Sequence, residues 1–179
     1  VTIEVWEDFQ CPYCRRWTEQ IKPQVVSDLV ETGLVRLTFR PLAFLGEESR
    51  WAAVAADLAA EQNRFWPMQD LLYANQLGEN IGTFSLDRIL AMAEAAGLDM
   101  GPFMDGLVLD AARARFAALQ ERSGVDAAAL GINATPSVTV NGVLLESPDF
   151  DSIMAAVQAA ALPVASPDAS AAAEASPAS

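Results

Sequence analysis

The chain's two cysteines stand together as Cys11-Pro12-Tyr13-Cys14, and it contains no histidine. Two thiols at this spacing can exchange between dithiol and disulfide, and the flanking residues favour that use. An apolar alternation of Val1, Ile3 and Val5 precedes the pair, and a helical pattern follows it. A strand that ends in Cys-x-x-Cys at a helix start sets the first sulfur beside unpaired backbone N–H groups and the positive end of the helix dipole. A thiolate is stabilised there, which makes the first cysteine the nucleophile. Zinc wants four ligands, usually two such pairs or one pair with histidines, so no metal site is expected within one chain. A purely structural disulfide gains little, because closing so short a loop removes little chain entropy.

The elements that must position the pair can be read in order. Val1 to Phe9 reads as a buried strand. Pro12 falls at the first helical turn, where its missing N–H costs nothing. Cys14, Trp17, Ile21, Val25 and Leu29 then recur at spacings of three and four along one helix face, with a kink at Pro23 and a stop at Gly33. Val35 to Phe39 reads as a second strand. From about Glu47 to Val125 the apolar residues recur only at helical intervals, including Trp51, Val54, Leu58, Phe65, Met68 and Leu72. Further helices are predicted over Ser85–Ala96, with Ser85 as N-cap, and over Pro102–Arg122, with Gly97 and Gly124 as terminators. Met68, Met92, Met100 and Met104 are expected as core filler. Ala134-Thr135-Pro136-Ser137 opens a run to Val140, and Asn141-Gly142 joins it to Val143–Leu145 as a hairpin. A last helix runs from Phe150 to Ala161, and residues 163–179, rich in Ala, Ser and Pro, read as a disordered tail or linker.

Composition bounds the function. The chain of 179 residues is long enough for one domain carrying an insertion, and its 52% hydrophobic content is that of a folded protein. No apolar run reaches bilayer-spanning length. With a net charge of −13 and only 11 scattered basic residues, nucleic acid is a poor partner. Val1 already lies within a strand pattern with no Met before it, so a removed secretory signal, a removed anchor or a trimmed cytosolic chain are the alternatives at that end.

Strand, Cys-x-x-Cys helix, strand, helical block, Thr-Pro, hairpin and helix together resemble the thioredoxin superfamily. More narrowly, Asp8-Phe9-Gln10-Cys11-Pro12-Tyr13-Cys14, Phe65-Trp66-Pro67-Met68-Gln69-Asp70-Leu71-Leu72 and Ala134-Thr135-Pro136-Ser137 are similar to the DsbA family of thiol–disulfide oxidoreductases, over about residues 1–162. The resemblance implies an α/β thioredoxin-like fold with an all-helical insertion. Residues 1–45 and 127–162 would be the two halves of the thioredoxin-like domain, and 46–126 the insertion. It implies that Cys11 forms the mixed disulfide with a substrate cysteine and that Cys14, shielded, resolves it. Pro12 and Tyr13 would contact substrate, as would Pro136, as a cis-proline, and Thr135, whose backbone could pair with an extended strand. It further implies a monomer without cofactor, acting outside the cytoplasm as a disulfide donor to proteins with reduced cysteines, and a membrane redox partner as reoxidant.

The chain departs from that family at two places. Tyr13 stands where the strongest oxidants carry histidine, which points to a less oxidising disulfide. Val5 stands six residues before Cys11, where many relatives hold a buried acid. Glu7 and Glu4 are the candidates to replace it, although each is expected to be a solvated strand-end charge. Around Cys11, Glu7 and Asp8 should raise the thiol pKa while Arg15, Arg16 and the helix end lower it, with a moderately depressed value as the net result. Two other functions fit the same residues. One is a reductase or isomerase working from the dithiol. The other is a non-catalytic module whose groove, lined by Trp6, Phe9, Trp17, Phe65 and Trp66, holds peptides.

Overall fold

The computed structural model describes residues 1–161; the expectation for residues 163–179 lies outside the described residues. The centre of the sheet is β1 (Thr2–Glu7), which takes the alternating run. It lies parallel to β2 (Arg36–Pro41), with Thr2 opposite Arg36 and Glu7 opposite Pro41. On its other side it runs antiparallel to β3 (Ser137–Val140), which pairs in turn with β4 (Val143–Leu144), giving the order β2-β1-β3-β4. Asn141 and Gly142 both hold positive φ, 48° and 80°, as a tight hairpin between these strands requires.

Alternation along β1 sends Ile3, Val5 and Glu7 to one face and Trp6 to the other. Ile3 and Val5 pack with Trp17, Val25, Leu29, Val138 and Ile153, while Trp6 joins Ala127 and Ile132. Burying each such aliphatic side chain is worth about 1.5–3 kcal/mol, which fixes the register of β1 and with it the direction in which Glu7 points.

Between the two strands, the helix that follows the cysteines is broken where Pro23 cannot donate to the ladder. It forms α1 (Pro12–Gln20), α2 (Lys22–Val25) and a π-helical turn over Val26–Val30. Five helices and no strand separate β2 from β3: α3 (Glu47–Glu61), α4 (Phe65–Ala74), α5 (Leu86–Ala95), α6 (Met100–Gly106) and α7 (Leu109–Ala129). The last helix, α8 (Phe150–Ala161), packs on β3. Phe9, Cys11 and Cys14 are buried with Val54, Leu58, Met68, Leu72 and Phe84. The cysteines thus sit where the sheet meets the helical block.

The structure corrects several sequence expectations. The helix predicted over Pro102–Arg122 is two helices parted at Leu107–Val108. Asp99 caps the first by accepting the Gly101 N–H, and Gly106 lets it lie against α3, since a Cβ there would come 2.3 Å from Leu58. Gly124 does not terminate a helix; α7 runs through it to Ala129, and Gly131 at φ +70° provides the end. A boundary at 126/127 therefore falls inside α7. Ser85 occupies the N-cap position of α5 without a side-chain cap bond. Met68 and Met92 are core, but Met104 is half exposed on the outer side of its short helix.

Candidate active site

Cys11 is the N-cap of α1 and Pro12 its first residue, so Cys14 falls in the first turn. Both thiols are free; Cys14 is fully buried, whereas Cys11 keeps 6% exposure. Tyr13, between them, is 63% exposed. The Thr135–Pro136 peptide bond is cis, and the Thr135 carbonyl lies 3.4 Å from Cys11 Sγ. The Cys11 thiol is lowered to about 6, chiefly by the hydrogen bond from the Cys14 thiol. Burial opposes the shift, while the Thr135 hydroxyl and the N–H groups of Cys14 and Tyr13 assist it. That hydroxyl is buried and makes no hydrogen bond of good geometry, so its influence on the sulfur is that of a nearby dipole. Burial drives the Cys14 thiol far above the ordinary range, helped by its bond to Cys11 and by the charge of Glu7.

The moderately depressed Cys11 pKa matches the sequence expectation, but its cause does not. Hydrogen bonds at the helix start lead, rather than flanking charges. Arg15 is committed to Glu19 at 2.7 Å and to the Gln76 carbonyl at 3.0 Å, and Arg16 stacks over the Tyr13 ring. Asp8 is likewise spent. Its carboxylate accepts the N–H groups of Gln10, Phe44 and Leu45 and the Ser49 hydroxyl. Gln10 bonds in turn to Ser49 and Asn80. Gln76, two residues past the end of α4, donates to the carbonyls of Phe9 at 2.7 Å and Cys11 at 3.1 Å. Side chains of the helical block thereby fix the backbone that leads into the cysteines.

Glu7 is not a solvated strand-end charge: it is completely buried, on the β1 face that α1 covers. Burial raises its carboxyl to about 8, against the lowering influence of Tyr73, Lys22, Gln69 and Thr18. Gln69 Nε2 donates to Oε2 at 3.2 Å, and the Thr18 hydroxyl lies 3.4 Å from Oε1. Burial and the charges of Glu7 and Cys14 also push the Tyr73 hydroxyl upward. Glu4 instead pairs with Arg40 at 2.7 Å. The 3-5-7 alternation of β1 carried the signal for Glu7, since continuing it sends the acid inward. Nothing local in the sequence pointed to Gln69, Tyr73 or Lys22.

Beside the cysteines a groove of about 400 Å³ is lined by Tyr13, Arg16, Trp17, Ile21, Pro136 and Pro148. The Trp17 indole N–H donates to the Pro148 carbonyl at 2.7 Å and ties its far wall to α1. Of the aromatics predicted for a peptide groove, only Trp17 lines this one, and it is itself buried. Trp6 and Phe9 are core, and Phe65 and Trp66 lie on α4 beside a different cavity, next to β2. Among the described residues no cluster of His, Cys, Asp and Glu is arranged to hold a metal ion, and no helix is long and apolar enough to cross a membrane.

The family model described as Thioredoxin matches residues 1–159. The probable disulfide bond formation protein D of Bacillus cereus is 29% identical over 161 residues, covering 88% of this chain and 72% of that protein. The Na(+)/H(+) antiporter NhaA 3 of Salinispora tropica is 36% identical over 164 residues; the match takes in 89% of this chain but only 23% of the antiporter. The crystal structure of oxidised BdbD from Bacillus subtilis superposes with a TM-score of 0.77 at 22% identity, covering 88% of this chain and 85% of that one. The chain belongs to the thioredoxin family, on the side of the DsbA-like thiol–disulfide oxidoreductases.

Proposed function

We propose that the protein is a thiol–disulfide oxidoreductase that works as a disulfide donor to proteins with reduced cysteines, with Cys11 as the exchanging sulfur and Cys14 as its buried partner. The observation that carries this reading is the asymmetry of the pair: a thiol at about 6 that keeps slight exposure, beside a fully buried one held protonated. In the donor direction a substrate thiolate attacks Cys11 Sγ of the disulfide, the Cys11–Cys14 bond breaks, and Cys14 leaves with the electron pair. Glu7, protonated at neutral pH, supplies its proton. A second substrate thiolate then attacks the substrate sulfur of the mixed disulfide, and Cys11 leaves as a thiolate. The substrate loses two electrons and the enzyme gains them. A leaving thiol of low pKa departs faster and favours the reduced enzyme, which makes its disulfide oxidising.

Thr135 and Pro136 flank Cys11 on one side and Pro12 and Tyr13 on the other, and in this reading all four contact the substrate strand. The adjoining groove takes its apolar side chains. Residues 46 to 129, the end of α7, act as the inserted subdomain, with the segments on either side forming the redox domain. The compartment is extracytoplasmic, and a membrane redox partner reoxidises the dithiol.

Cys14→Ala is expected to trap mixed disulfides through Cys11, and Cys11→Ser to abolish exchange. Equilibration in glutathione buffers tests direction. A potential well above thioredoxin's about −270 mV supports the donor. A value near it turns the reading to reductase, and full biological function of Cys11→Ser would leave only a peptide-binding module.

A further inference from the structure

A chain of hydrogen bonds runs from the surface of α4 to the acid beneath Cys14. Lys22 pairs with Asp70 and donates to Gln69 Oε1 at 2.7 Å; Gln69 Nε2 donates to Glu7 Oε2 at 3.2 Å. Gln69 is fully buried and the Lys22 side chain is 11% exposed. An ammonium group can only donate, so Lys22 compels the carbonyl oxygen of the Gln69 amide to face it and the NH2 to face Glu7. An NH2 group in turn can only donate, so Oε2 of Glu7 must be an oxygen without a proton, whatever the charge of the acid. The proton is left to Oε1, beside Thr18, whose hydroxyl can rotate to accept it. Thr18 stands one helical turn from Cys14 on the buried face of α1.

Resting on the reading of Glu7 as the proton partner of Cys14, we propose that Gln69, its amide oriented by Lys22, is a positioning residue that confines the Glu7 proton to Oε1, the oxygen beside Thr18 of α1. The groups facing Glu7 are few. Lys22 comes from α2, Gln69 and Tyr73 from α4, and Thr18 and Cys14 from α1. On β2 its partner is Pro41, and the adjacent Arg40 is taken by Glu4 and Asp126. Asp8, next in the chain, is held by backbone amides. Among the described residues Lys22 is thus the one cation in contact with the network; its charge favours the Glu7 carboxylate, and its bond to Gln69 orients the amide.

The test is the pH profile of Cys14 attack on a Cys11–peptide mixed disulfide, followed by stopped flow, with Cys11 thiolate absorbance titrated in parallel. In that direction Glu7 must be ionised, so the rate rises with pH through its titration. In Gln69→Leu and Lys22→Met the rise should move up by about one pH unit and the rate at pH 7 fall about tenfold, because a donor and a positive charge that favour the carboxylate are lost. The Cys11 titration should not move, and Lys22→Arg, which still donates, should restore the profile. Gln69→Glu gives a second, nearly isosteric measurement. Lys22 would pair with the new carboxylate, no donor would face Oε2, and the rise should move up at least as far. If Glu7→Gln removes the rise while the Gln69 and Lys22 variants keep the wild-type profile, the positioning role is overturned and Glu7 stands alone. If Glu7→Gln itself keeps the wild-type profile, the reading of Glu7 fails and the inference with it.

Discussion

Glu7 and Asp8 are adjacent, both buried, and both within four residues of Cys11, yet they are solvated by the protein in opposite ways. Asp8 accepts four donors, three of them backbone N–H groups, so its charge is met at every oxygen. Glu7 has only side-chain donors at longer range, the Gln69 amide and the Thr18 hydroxyl, with the Tyr73 phenol beside it and the shielded charge of Lys22 within reach. A carboxylate saturated by rigid amides is a structural tie, because protonating it would break several bonds at once. One with sparse donors in a dry site keeps its proton into the neutral range and can give it up. Strand alternation decides which is which, since it turns one toward the active-site helix and the other toward the loop after β2.

The largest loss is expected at Asp8. Asp8→Ala would strand three amides and the Ser49 hydroxyl, and a loss of about 3–5 kcal/mol in urea unfolding is expected. Asp8→Asn should fall between, because it retains an acceptor oxygen. Glu7→Gln should do the reverse at high pH. The folded acid titrates near 8 against an ordinary 4.5, so the native state holds the proton more tightly and wild-type stability falls as pH rises between those values. The amide has no charge to bury. From pH 4 to pH 9 the reduced variant should therefore gain about 2–4 kcal/mol on the reduced wild type, measured as the difference between their unfolding curves.

Gly46 sharpens the Asp8 side. It stands at φ +154°, and a Cβ there would lie 2.1 Å from the Asn80 side chain that bonds to the Leu45 carbonyl. Gly46→Ala should cost about 1–3 kcal/mol while leaving the Glu7 titration in place. The smallest effect belongs to Thr135→Val. It removes the hydroxyl dipole that favours the Cys11 thiolate and should raise that thiol by about half a pH unit in a thiolate absorbance titration, with no change at Glu7.

What the sequence revealed follows the range of the interactions involved. The cysteine pair at a helix start, the Asn141-Gly142 turn and the break at Pro23 are encoded within a few residues, and each is legible there. The division between sheet and helical block is also readable, because it is a change of hydrophobic period. The environment of the Glu7 carboxyl is not legible locally, because Gln69 and Tyr73 arrive from more than sixty residues away. Arg15 and Arg16 lie near Cys11 in sequence, but Glu19, the Gln76 carbonyl and the Tyr13 ring claim them first. Gly124 lacked a positive φ and was absorbed into α7, a distinction composition cannot make.

Proton release to Cys14 requires that Glu7 hold its proton into the neutral range. The most direct measurement is a carbon-13 NMR titration of its side-chain carboxyl in the reduced protein, assigned by Glu7→Gln. A midpoint near 8, well above the ordinary 4.5, is the result the structure requires; a midpoint in the ordinary carboxylate range would contradict it and leave Cys14 without a proton partner.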